Sequence, residues 1–168
     1  MRIGRGWRNH ATMTAMTLLL AASLVKAEEN YCLSPAEMAA VVGTRASQSG
    51  DRVPGGPAQL RTQNCSYKTT EPPDKSLNMI VDMTVQKAET AAAASSIFKG
   101  EASSFGSMMG PSHPVSGLGD EALLYGLAIY VRQKNWLLSF SILDVHMSDE
   151  AKGKLLKLLA AKALSRLH

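Results

Sequence analysis

Residues 117–143 read GLGDEALLYGLAIYVRQKNWLLSFSIL, and their periodicity decides the fold. Leu123, Tyr125, Leu127, Ile129 and Val131 fall on odd positions, and Trp136, Leu138, Phe140 and Ile142 on even ones. Between the two runs lies the polar break Gln133-Lys134-Asn135. Apolar side chains that recur every second residue stand on one side of an extended chain. Two such runs about a short polar break predict an antiparallel hairpin with one buried face. The hairpin is entered through the turn Gly117-Leu118-Gly119-Asp120-Glu121-Ala122.

Working outward, the same alternation recurs upstream. Leu77, Met79, Val81, Met83 and Val85 alternate with Asn78, Ile80, Asp82, Thr84 and Gln86, which predicts a half-buried strand. Leu60 to Thr69, containing Asn64-Cys65-Ser66-Tyr67, reads as a strand before it, and Glu71-Pro72-Pro73-Asp74 breaks the two apart. Helices account for the rest. Ser34-Pro35-Ala36-Glu37 has a capping serine, a proline suited to the first turn and a glutamate that completes a capping box. That helix should run through Val42 and stop near Gly43. Ala88 to Ala94 with Ile97, Phe98, Ala102 and Phe105 predicts an alanine-rich helix that Gly100 could end early. Ser148, followed by Asp149 and Glu150, should start a final helix with Leu155, Leu156, Leu159, Ala163 and Leu167 on its apolar face. Lys152, Lys154, Lys157, Lys162 and Arg166 should solvate the opposite side. Glycine- and proline-rich stretches, 44–57 and 106–119, read as long loops. The order is helix, two strands, helix, two or three strands, helix. It predicts an α+β fold, a mainly antiparallel sheet of about five strands packed by three helices.

The first residues carry the compartment. Arg2, Arg5 and Arg8 precede an apolar run from Ala11 to Val25, and Val25-Lys26-Ala27 suits a cleavage site. These are the three regions of a secretory signal peptide, residues 1–27, too short in its apolar part to span a bilayer. Residues 28–168 then form one expected domain, exported to the periplasm or beyond and without a transmembrane segment. The chain has 18 Lys and Arg against 14 Asp and Glu. Four of the cations and none of the acids fall in the leader, so the remainder is neutral. A neutral domain lacks the basic footprint of a nucleic-acid binder. Cys32 and Cys65, an even count in an exported chain, predict one disulfide. A lipid-modified Cys32 would need a small apolar lipobox where Glu28-Glu29-Asn30-Tyr31 stands, and a zinc site would need further soft ligands.

Candidate chemistry is thin. Asp120 and Glu121 lie beside the turn with His113 upstream, a low-grade binding loop or acid/base set. Adjacent strand residues point to opposite faces, and Asp120 more readily stabilises the turn through its own backbone. Met108, Met109 and His113, with His146 and Met147, offer ligands for a soft metal such as Cu(I), while Met79 and Met83 belong to a buried strand face. There is no Gly-x-Ser-x-Gly elbow and no phosphate-binding glycine loop. Asn64-Cys65-Ser66 matches a glycosylation sequon only formally.

A cysteine before a capped helix, a second cysteine in the first strand, the Gly117-to-Ala122 turn leading into a strand, and a final helix with Leu159-Ala160 and Leu164 to Leu167 together resemble a family. It comprises small exported bacterial lipoproteins of unknown function, numerous in actinobacteria. The resemblance implies an α/β sandwich like that of the photosystem extrinsic subunit and a non-enzymatic envelope role, and it supplies no catalytic residue. This chain departs from it in lacking the lipobox. The leading expectation is therefore a cofactor-free, non-catalytic module that binds an envelope protein or a small ligand. An exported hydrolase using a His/acid pair is the alternative, and a copper-binding protein the third.

Overall fold

The computed structural model describes residues 30–49, 53–55, 60–70 and 79–167. The expected leader and its cleavage point near Ala27, the Glu71-to-Asp74 break, and Leu77 and Asn78 lie outside the described residues. The elements in chain order are α1 (Pro35–Val42), β1 (Arg45–Gln48), β2 (Val53–Gly55), β3 (Leu60–Thr70), β4 (Ile80–Ala88), α2 (Ala91–Met109), β5 (His113–Pro114), β6 (Glu121–Leu124), β7 (Ala128–Gln133), β8 (Trp136–Leu143) and α3 (Asp149–Leu164). The fold is α+β. Every strand pairing is antiparallel, in the order β1-β3-β4-β8-β7-β6-β5, with β2 also on β3.

Local chemistry sets the helix ends. The Glu37 N–H donates to Ser34 Oγ at 3.2 Å and the Ser34 N–H to Glu37 Oε2 at 2.9 Å, so the capping box is closed in both directions. α1 stops at Gly43, whose φ of +79° costs a glycine little. Thr90 and Ser148 cap α2 and α3 through their hydroxyls.

The main core lies between the sheet and the pair α1/α3. Val81, Met83, Val85, Ile129, Val131, Leu138, Phe140 and Ile142 meet Met38, Leu156, Leu159 and Ala163 there. The Cys32–Cys65 disulfide, with Cα atoms 6.3 Å apart, ties the lead-in of α1 to β3 on this same side. Buried Tyr67 donates to the Leu33 carbonyl at 2.6 Å, which fastens the lead-in again. α2 packs on the opposite side, where Phe98 stacks on Tyr130 with ring centroids 4.8 Å apart.

Several expectations need correcting. Among the described residues eight strands form rather than about five, because both stretches read as loops contain short edge strands. β1 and β2 lie within 44–57 and pair end to end along β3, and β5 lies within 106–119. Edge strands of two to four residues are held by backbone hydrogen bonds and show no alternation to read. The hairpin turn is real, since Gln133 pairs with Trp136 around Lys134-Asn135. The odd-numbered run is nevertheless two strands. It breaks after Leu124, the Tyr125 N–H donates to the Ala128 carbonyl at 2.7 Å, and β6 folds back on β7. Nor is one face buried: Ala128 to Val131 and Trp136 to Leu138 are buried without alternation, because helices cover both sides. Gly100 does not end α2. A glycine inside a helix costs about 1 kcal/mol, and Phe98 and Phe105 anchor the helix on either side of it. Arg166 is not simply solvated: its guanidinium donates to the Cys32 carbonyl at 2.5 Å and reaches Glu37 at 3.2 Å. Lys152 is buried as well, with its ammonium 3.7 Å from Asp149.

Candidate binding cleft

Register determines which side chains share the outer face, because directly paired residues project to the same side of a sheet. One row runs Thr62, Gln86, Leu137, Arg132, and the next runs Asn64, Thr84, Ser139, Tyr130. α2 lies over the Tyr130 and Leu137 end of these rows. Its Glu101, Ser104, Phe105 and Met108 form one wall of a cleft floored by Thr84, Gln86, Tyr130, Leu137 and Ser139. The cleft has a volume of about 300 Å³ and is open to solvent. That is the lower end of the range for small-ligand pockets.

The hydrogen bonds are unevenly distributed. Tyr130 donates a hydrogen bond from its hydroxyl to Glu101 Oε2. Burial, then the Glu101 bond, raises the Tyr130 phenol far above its ordinary value, so it stays protonated and remains a donor. Thr84 Oγ1 donates to Asn64 Oδ1 at 2.9 Å, and Ser104 Oγ to the Gly100 carbonyl at 3.1 Å. Two buried atoms, Gln86 Oε1 and Thr62 Oγ1, have no partner among the described residues. An unpaired buried polar atom costs about 1–3 kcal/mol. They stand side by side in one row, and Gln86 lines the cleft.

The residues singled out from sequence lie elsewhere. Asp120 and Glu121 converge on Arg132, with Nη1 2.9 Å from Asp120 Oδ2 and Nη2 2.8 Å from Glu121 Oε1. Asp120 also accepts from the Lys134 N–H at 2.7 Å. It therefore braces the β7–β8 turn across space rather than through its own backbone. His113 is exposed on the edge strand β5 and pairs there with Leu124. The soft-ligand set is divided by the sheet: Met108 lines the outer cleft, whereas Met147 packs against the inner core. His146 is exposed beside Met147, with its N–H on Asp144. Among the described residues, no three His, Cys, Asp or Glu gather as metal ligands.

Sequence reasoning missed the cleft because Thr84, Gln86 and Ser139 occupy the polar phase of their strands, which looks the same over solvent and over a pocket. The usable signal was Phe98, Glu101 and Phe105, which share a helix face at spacings of three and four.

No family model matches this chain, and no curated protein matches it. Among solved structures, it is similar to the extracellular domain of PknH from Mycobacterium tuberculosis, at 12% identity and a TM-score of 0.44, over 80% of this chain and 93% of that one. The Cys32–Cys65 bridge fits an exported protein. Among the described residues, no helix is long and apolar enough to cross a membrane.

Proposed function

We propose that this is an exported, non-catalytic binding module whose small ligand occupies the cleft between α2 and the outer face of the sheet. One observation carries the reading: the buried Gln86 Oε1, without a partner among the described residues, at a cleft of about 300 Å³. A ligand that donated to it would recover the cost of burying it alone. The hydrolase alternative needs a histidine beside an acid in a cleft, and neither His113 nor His146 lines this one. Binding, with Glu101 and Tyr130 fixing one wall, is the chemistry that these groups support.

Native mass spectrometry after exposure to a small-molecule extract of the cell envelope tests it. The wild-type protein should carry a bound mass that Ser139→Trp, with an indole filling the cleft, does not. Equal loading of both, with the disulfide and circular dichroism of the variant intact, or no loading of the wild type, would overturn the reading.

A further inference from the structure

Hydrogen-bond accounting narrows the ligand, given that the cleft is the binding site. Three hydroxyls at the cleft have already committed their protons: Tyr130 to Glu101, Thr84 to Asn64, and Ser104 to the Gly100 carbonyl. Each is left with lone pairs to offer and no proton. Gln86 adds a carbonyl oxygen to which no described residue donates. Glu101 adds a second carboxylate oxygen, Oε1, to which no described residue donates. Two donors remain, the Ser139 hydroxyl and the Gln86 side-chain amide, so the cleft presents more acceptors than donors and one formal negative charge. No Lys or Arg is among the described residues that line the cleft, and Arg132, in the same row as Gln86 and Leu137, is engaged by Asp120 and Glu121.

We propose that the cleft takes a small organic cation, a primary ammonium or guanidinium group on a short apolar stem. Such a group is all donor, with three N–H on an ammonium and five on a guanidinium side chain, and so complements an acceptor-lined wall. Its charge meets the Glu101 carboxylate. Half-buried Phe105, which lines the cleft, supplies an aromatic ring for the cation, while the Tyr130 ring is stacked on Phe98. Leu137 and Met108 leave an apolar strip for the stem. A carboxylate or phosphate ligand would meet an excess of acceptors and repulsion from Glu101, and a neutral polyol would leave that charge unmet.

Agmatine and cadaverine are the probes, with pentanediol as the neutral control and glutarate as the anionic one, each titrated into isotope-labelled protein. Agmatine or cadaverine should shift the amides of Gln86, Phe105 and Ser139 and the Met108 methyl, and the controls should not. Glu101→Gln keeps an acceptor for Tyr130 and removes the charge. It should weaken binding at least about tenfold, the low end for a hydrogen bond to a charged group. Thr84→Val, which alters neither Glu101 nor Tyr130, should weaken it less. Should pentanediol or glutarate shift these residues and the amines not, the cation inference falls while the cleft reading stands. Amine binding that shifts residues outside the cleft, or that Glu101→Gln leaves unchanged, overturns the inference. An absence of any shift also overturns it, and the Ser139→Trp comparison then decides the cleft reading alone.

Discussion

Phe140 and Ser139 are neighbours on β8, and their surroundings have nothing in common. Phe140 is fully buried between β4, β7 and α3, in a core closed by two helices and a disulfide. Ser139 is half-buried on the outer face, at the margin of α2. On the inner side the buried Tyr67 hydroxyl has found a carbonyl, and on the outer side Gln86 Oε1 and Thr62 Oγ1 have found none among the described residues. A fully covered face supplies stability and leaves no room for a ligand. A partly covered one keeps polar atoms buried yet reachable, and that is where binding can recover their cost.

The largest expected effect tests the closed side. Phe140→Ala should cost about 3–5 kcal/mol, from lost burial plus a cavity that two packed layers cannot collapse into. Phe98→Ala, on the sheet-facing side of α2, should cost less because the cleft lets its surroundings relax. Urea unfolding measures both, and equal costs would break the contrast between the faces. Next comes the bridge. Replacing Cys32 and Cys65 together by serine should cost about 3–4 kcal/mol on the chain-entropy account, while ligand binding in the outer cleft stays unchanged. A variant that loses affinity in proportion to stability would show that the two faces are coupled.

The contrast itself was only half legible in the sequence. Strand and helix identities followed from periodicity, because Val81, Met83 and Val85 alternate cleanly and Ser34-to-Glu37 is a complete cap. The inner core was therefore readable on β4, β8 and the helices, but Leu123 and Tyr125, read on one face with Ile129 and Val131, pack with α2 on the other side, and Leu127 is exposed. The outer face was not, because Tyr130 and Leu137 break the alternation only through burial under α2, whose extent depended on Phe98 and Phe105 outweighing Gly100. Short edge strands such as β1 and β5 are tertiary pairings with no local signature. Asp120 and Glu121 were noticed for their adjacency, yet their partner, Arg132, lies 12 and 11 residues away on β7.

The turn region sharpens the comparison at a smaller scale, since it holds the strands that carry Tyr130. Gly119 has φ of +65°, and a Cβ there would stand 2.5 Å from the Arg132 carbonyl oxygen and 2.9 Å from Val131 Cγ1. Gly119→Ala should cost about 1–3 kcal/mol, since backbone must move and the conformation is strained. Arg132→Met should cost about 1–2 kcal/mol, because its side chain is only 13% exposed while both acids are solvated enough to weaken the pairs. If Arg132→Met also shifts the Tyr130 ring resonances, the acids brace the cleft floor. If it leaves them unmoved, they brace only the turn.

The smallest effect belongs to Glu37, which closes the inner face at its rim. Its carboxyl is held below the ordinary value of 4.5, first by the Ser34 backbone N–H and then by the Ser34 hydroxyl, Arg166 and Lys162, against burial acting the other way. A carboxyl whose folded pKa is depressed stabilises the fold fully above its unfolded pKa, and that contribution is lost as the pH falls through the folded one. The stability due to Glu37 should thus be complete above pH 4.5 and decline below it. Glu37→Gln keeps acceptor and donor groups at the cap but cannot titrate. Thermal unfolding of the variant should start slightly lower at neutral pH and fall less steeply on acidification, so that the two curves converge in acid. Parallel curves would mean that the Arg166 clasp contributes through its bonds to the Cys32 and Asn30 carbonyls and not through Glu37. The closed face would then owe its pH dependence to other groups, and the Glu37 cap would be a purely geometric fastening.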